Sequence, residues 1–240
     1  PASVVASTPT EDGLQLQLTG AEETQIETAL LVVADGAAST LREQLGVAVT
    51  EKPYGQHALV ANVSFSKSHG NCAYERFTDE GPLALLPLLA GPAGEERSAL
   101  VWTLPPQRAV TLQAAGDEEF VTALQDRFGY RLGRIEHVGE RSMYPLSLVQ
   151  SAEQVRRNVV VMGNAAHALH PVAGQGFNLA LRDVVELSGV LSAAVADNKS
   201  PGDLSVLEQY QVRQRADQEK TITFSDQVPA LFMHADPAIG

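Results

Sequence analysis

The stretch "VVVMGNAAHALHPVAGQGFNLALRD", residues 159–183, runs an apolar strand into three glycines, two histidines and a proline, and then starts a helix. The valines read as a buried strand of the parallel type. The turn through Gly174 and Gly176 leads into a helix expected from about Phe177 to Ala196. The first turn of such a helix leaves N–H groups unpaired at its positively polarised end, which suits an anion or an electron-rich ring edge. Glycine lets that backbone touch a ligand with no Cβ in the way, and Pro171 stiffens the approach. Three readings fit the pattern: a dinucleotide, a metal held by His167 and His170, or a tight turn with no ligand. Pro171 and the glycines argue against a helix running through both histidines, and no third ligand stands at motif spacing. Hydrogen-bonded structural histidines, and no metal, are therefore the expectation.

Working outward, "GLQLQLT" from Gly13 alternates apolar and polar residues as a half-buried strand does, and "TGAEE" turns the chain. "TQIETALLVVAD" then continues as a short polar strand and an apolar one, with Leu30 to Ala34 expected to be covered on both faces. In "DGAASTLREQLGV", Asp35-Gly36 signals a turn, Ser39 an N-cap and Gly46 the end of a short helix. From Gln56 to Leu104 the runs "HALVANVSFS", "CAYERFT", "LALLPLL" and "SALVWTL" predict an antiparallel sheet. "GDEEFVTALQDRFG" predicts an amphipathic helix, "RIEHVGERSMYPL" and "SLVQSAEQV" two more strand-like runs, and a last helix is expected from Asp203. The implied organisation is α/β, α+β overall, in three segments: 1–50, 51–150 and 151–240. Strand–helix pieces at both ends enclose the antiparallel sheet, an arrangement that commonly makes a ligand cleft.

Composition excludes several classes. The 17 basic and 29 acidic residues give a net charge of -12, without the clustered Lys and Arg that nucleic acid requires and without attraction to an anionic membrane. One cysteine, Cys72, excludes an internal disulfide and a Cys-based zinc site. It fits a reducing compartment, so the cytoplasm is the expected location. No run of about 18 apolar residues predicts a membrane span, and no lipidation motif is evident.

Two motifs carry a resemblance. "GNAAHALHPVAGQGFNLALRD" resembles the second flavin-binding motif of the aromatic-ring hydroxylases, the single-component FAD monooxygenases of the 4-hydroxybenzoate hydroxylase type. "LLVVADGAASTLRE" resembles their strand ending in Asp-Gly followed by Ser and Arg. "YERFTDEGPLALLPL", residues 74–88, and Asn164 in place of the wider family's Asp are similar to the ubiquinone-biosynthesis branch, in particular its 2-polyprenyl-6-methoxyphenol hydroxylases. The resemblance implies part of a Rossmann-like FAD-binding domain with an inserted antiparallel-sheet substrate domain.

The resemblance also implies site residues. Asp35, Gly36 and Arg42 would serve FAD and the pyridine nucleotide, with Arg42 supporting phosphate. Gly163 and Asn164 would meet the ribose–pyrophosphate, while Pro171, Gly174, Gln175, Gly176, Phe177 and Asn178 would wrap the isoalloxazine edge. Tyr74, Phe77 and Trp102 are candidate walls of the substrate pocket, with plain core packing the favoured alternative for each. No catalytic acid or base emerges, His57 and Tyr74 being weak candidates. The implied activity uses FAD and NAD(P)H to hydroxylate the ring of a prenylated phenol, with other ubiquinone-biosynthesis enzymes as partners and any membrane contact peripheral, at the inner membrane. The G-x-G-x-x-G unit that holds the ADP half of FAD in this family has no match before Asp35. The chain is therefore expected to be an internal fragment, inactive and without FAD by itself, with the groove from Asn164 to Asn178 open. The alternative expectation is a flavin-free, non-catalytic binding or assembly module.

Overall fold

In the computed structural model, which describes residues 2–92 and 94–233, the chain forms two units. The first comprises residues 1–52, 148–170 and 174–225; the second comprises 53–147, 171–173 and 226–240. The first unit begins with β1 (Ser3–Pro9), β2 (Leu14–Thr19), β3 (Gln25–Thr28), β4 (Leu31–Val33) and helix α1 (Thr40–Gln44). The chain leaves it within β5 (Val49–Phe65) and forms β6 (Tyr74–Phe77), β7 (Pro82–Pro87) and β8 (Glu96–Leu104). Helices α2 (Pro106–Ala114) and α3 (Asp117–Phe128) and strand β9 (Ile135–Val138) follow. It returns within β10 (Ser142–Ser151) to β11 (Val155–Arg156), β12 (Val159–Val161), β13 (His167–Ala168), α4 (Gln175–Ala196) and α5 (Leu204–Met233). The mixed helix-and-sheet class expected from the pattern is borne out.

β12 is the centre of the first unit. It pairs in parallel with β4, Val159 opposite Leu31 and Val161 opposite Val33, and antiparallel with β11. Alternation divides its side chains between two cores. Val159 and Val161 join Leu14, Leu16, Leu31, Val33 and Leu41. Val160 and Met162 pack against Leu187, Val190, Ala194, Leu207 and Tyr210 of α4 and α5. β4 departs from the expectation of cover on both faces, because Val32, beside Val160, is 42% exposed. β4 is the outermost strand of its three-stranded sheet, and α4 covers its neighbour.

A close crossing fixes where β4 begins. Asn158, at φ +65°, donates from Nδ2 to Ala29 O at 2.7 Å and accepts Leu31 N–H at 2.8 Å. Its own N–H reaches Gly202 O at 2.7 Å, and a Cβ on Gly202 would stand 2.0 Å from Ala29 O, so only glycine fits.

In the second unit the strand order is β10-β5-β8-β7-β6, with β9 also on β5. Leu59, Ala61, Val63 and Phe65 of β5, Leu83 and Leu85 of β7, and Leu100, Trp102 and Leu104 of β8 bury one face beneath α2 and α3. α3 begins with Asp117, Glu118 and Glu119 in its first turn and stops at Gly129, φ +83°, as its pattern predicts. β1 and α2 had no counterpart among the expectations.

Candidate functional site

The parallel pair β4–β12 brings two turns to one edge of the first unit. Val33 and Val161 are partners, so the turns at Asp35-Gly36 and Gly163-Asn164 leave adjacent strands at their carboxyl ends, where open α/β sheets bind ligands. Met162 N–H donates to Val33 O at 3.0 Å, holding the strands together to the last residue. Gly163, at φ +58°, opens a 3-10 turn over Gly163–Ala165 that leaves Asn164 exposed. A Cβ on Gly163 would lie 3.8 Å from Ala180 Cβ, so the turn runs close along α4.

The other turn is braced from inside. Ser39 caps α1, its Oγ accepting Arg42 N–H at 2.9 Å. Arg42 is buried, and its guanidinium donates to Ala165 O at 2.7 Å and to Ala37 O at 3.1 Å. The two turns are thereby tied to each other through one side chain. The phosphate-supporting role expected of Arg42 gives way here to a backbone clamp. Asp35 is exposed, with Oδ2 3.4 Å from Leu41 N, and Gly36 takes φ +102°.

Helix α4 supplies the third component. Its N-cap is Gly174 at φ +62°, with no side-chain cap and no acidic residue in the first turn. No side chain competes for the N–H groups of its first turn, at the positively polarised end of the helix. Gly174, Phe177 and Asn178 are exposed, Phe177 to 71%. A Cβ on Gly174 would meet nothing within 4 Å, so the space beside this turn is open. Gln175 and Gly176 are half-buried; Pro171, also half-buried, falls in the second unit. A helix start that no side chain caps, an amide at Asn164 and a carboxylate at Asp35 make a donor and acceptor set that fits a flavin nucleotide: an electron-rich ring edge, a diphosphate and ribose hydroxyls.

Strand parity divides the three candidate wall residues of the second unit between its two faces. Trp102 is fully buried and meets Phe120 edge-on at 6.1 Å, beneath the helices. Tyr74, opposite Leu85, lies on that same face and meets Phe128 at 6.0 Å. Phe77, three residues from Tyr74, takes the opposite face. The face away from the helices carries the row Val60, Val101 and Ala84, flanked by Ala58 and Ala99. These small residues escaped notice because they stand between the larger ones that dominate the pattern. His57 sits opposite Leu104 on the helix-covered face.

His167 and His170 are both buried, and among the described residues no group of three or more His, Cys, Asp or Glu could hold a metal ion. No described helix is long and apolar enough to cross a membrane.

Residues 3–225 match the family model described as the FAD binding domain. The chain belongs to this family. It is similar to the ubiquinone hydroxylase UbiL of Rhodospirillum rubrum, 36% identical, with 97% of the chain and 52% of the relative covered. It is also similar to the 3-demethoxyubiquinol 3-hydroxylase of Escherichia coli, 32% identical, with 90% of the chain and 54% of the relative covered. The chain thus spans about half the length of these curated relatives. Among solved structures it resembles Pseudomonas aeruginosa PqsL in complex with 2-aminobenzoylacetate, with a TM-score of 0.78 at 21% identity, covering 97% of the chain and 64% of PqsL. That likeness supports the FAD-binding family's fold. The expected ubiquinone-biosynthesis branch is borne out by the relatives.

Proposed function

We propose that the chain is part of an FAD- and NAD(P)H-dependent monooxygenase that hydroxylates the ring of a prenylated phenol in ubiquinone biosynthesis. The observation that carries this reading is the convergence of three flavin-motif segments at one edge of the first unit: Asp35-Gly36, Gly163-Asn164 and the uncapped start of α4. Bound FAD would supply dioxygen activation with electrons from the pyridine nucleotide.

The chain's own residues bind and orient. The positively polarised first turn of α4 stabilises negative charge on the ring edge. Asn164 hydrogen-bonds a ribose hydroxyl without adding charge beside the diphosphate. The first unit is assigned to the flavin and the second to the substrate, with Val60, Ala84, Ala99 and Val101 a smooth apolar wall for an aromatic ring and its prenyl tail. Relatives named as ubiquinone hydroxylases favour this reading over a flavin-free module.

The test, made on the whole protein of which this chain is proposed to be part, is FAD titration followed by assay of NADH and NADPH oxidation with a prenylated phenol, the product ring being identified by mass spectrometry. Oxidation that is independent of the phenol, with no hydroxylated product, would refute the proposal.

A further inference from the structure

A chain of buried and half-buried polar side chains reaches α4 two turns from its start, and the proposed chemistry does not use it. His167 Nε2 lies 3.0 Å from Asp183 Oδ2, with the two side chains 1% and 0% exposed. Gln218 of α5 donates from Nε2 to Asp183 Oδ1 at 2.9 Å, and Gln154 Nε2 donates to Gln218 Oε1 at 2.9 Å. Gln154 O in turn accepts Val161 N–H at 2.7 Å. The series runs from the strand that delivers Asn164, through α5 and α4, to β13. Tyr210, fully buried, completes the enclosure, its hydroxyl held protonated by burial and by the Asp183 charge.

We propose that His167 and Asp183 are positioning residues for the flavin, a bridge that sets the direction in which the first turn of α4 presents its N–H groups. This rests on the reading of that turn as a flavin contact.

The geometry is suited to the task. Asp183 stands just over two turns into α4, and β13 is held by only two pairs to β10, Val149–Ala168 and Gln150–His167. Between His167 and α4 lie the buried His170 and Val172, the short 3-10 turn Val172–Gly174 and the left-handed Gly174, so the contact with Asp183 adds a second hold on the helix, from inside it. A carboxylate and an imidazole are costly to bury, and an apolar pair of equal volume would fill the same space. What the polar pair adds is a tie of fixed length: two polar atoms 3.0 Å apart and shut off from water resist separation, whereas apolar packing can slide. A misplacement of about 1 Å at a binding turn is enough to lose much of its contribution.

The test compares His167→Phe, which keeps the ring and loses the donor, with His167→Gln, whose amide can still offer an N–H. FAD dissociation constants, the visible spectrum of bound flavin and its two-electron potential are measured on the whole protein of which this chain is proposed to be part, shown to be folded by circular dichroism. The expected result for H167F is affinity weakened at least about tenfold with a shifted spectrum and potential, and for H167Q affinity within about threefold of wild type. Should H167F not fold, Asp183→Asn takes its place, with the same loss and shifts expected. Gly174→Val is the control for the underlying reading. If G174V weakens FAD while H167F or D183N binds it with wild-type affinity, spectrum and potential, the bridge proposal alone is overturned. If G174V binds FAD as wild type does, the flavin reading falls and this proposal with it.

Discussion

Replacing Arg42 separates a structural clamp from a phosphate ligand. Its guanidinium donates to Ala165 O at 2.7 Å and Ala37 O at 3.1 Å while 7% exposed. A hydrogen bond from a charged donor is worth about 1.5–3 kcal/mol. The Ala165 bond takes the upper part of that range, because Ala165 is fully buried and water cannot replace the lost donor. Ala37 is exposed, so its carbonyl can rehydrate and its bond adds less. Arg42→Met keeps the packed stem and removes both bonds, for an expected loss of about 3 kcal/mol. Arg42→Lys keeps one donor and should lose about half as much. In urea, with a slope of about 2 kcal/mol/M, R42M should lower the unfolding midpoint of the first unit by about 1.5 M. Any accompanying loss of FAD affinity should then be insensitive to salt, because it comes from a loosened turn. An unchanged midpoint, with a fall in FAD affinity that differs between low and high salt, would show a phosphate contact and refute the clamp.

Gly174→Ala should cost about 1 kcal/mol of stability, the strain of a left-handed Ala with no steric clash, yet weaken FAD about tenfold by filling the ligand's side of the turn; parallel melts and flavin titrations would separate the two effects. Ala84→Leu should leave the melting temperature within about 2 °C of wild type while raising KM for the phenol, whereas Trp102→Ala should destabilise by about 3–5 kcal/mol; the reverse pattern would return the substrate wall to the helix-covered face. Tyr210 has its acidity lowered by burial first and by Asp183 second, so its folded-state pKa stands above the unfolded value of about 10. Its stabilisation is complete below that value and fades as pH rises past it, by about 1.4 kcal/mol at pH 11. Urea melts at pH 8 and 11 should show that loss in wild type and a smaller one in Tyr210→Phe.

The elements legible in the sequence were those whose signals are local. Ser39 before an apolar repeat, Gly46 after it, and valines leading to Gly163 each specify their turn within a few residues, and α1, β12 and α4 stand where those signals put them. What escaped depends on partners distant in the chain. Leu31–Val33 is as apolar as a doubly covered strand, but Val32 shows that cover depends on what lies over the neighbour. Tyr74 and Phe77 were paired by their size, whereas their odd spacing on one strand forbids a shared face. The direction of Arg42 required knowing that Ala165, far along the chain, closes over α1. α2 was not legible because "PQRAVTLQA" is only nine residues long, follows a proline pair and buries only Ala109 and Leu112.

Amide hydrogen exchange with and without FAD tests the central claim most directly. The account predicts slowed exchange at Gly163–Ala165 and at the first turn of α4, residues 175–178, with little change in β7 and β8. Protection absent from both of those segments while FAD is bound would contradict it.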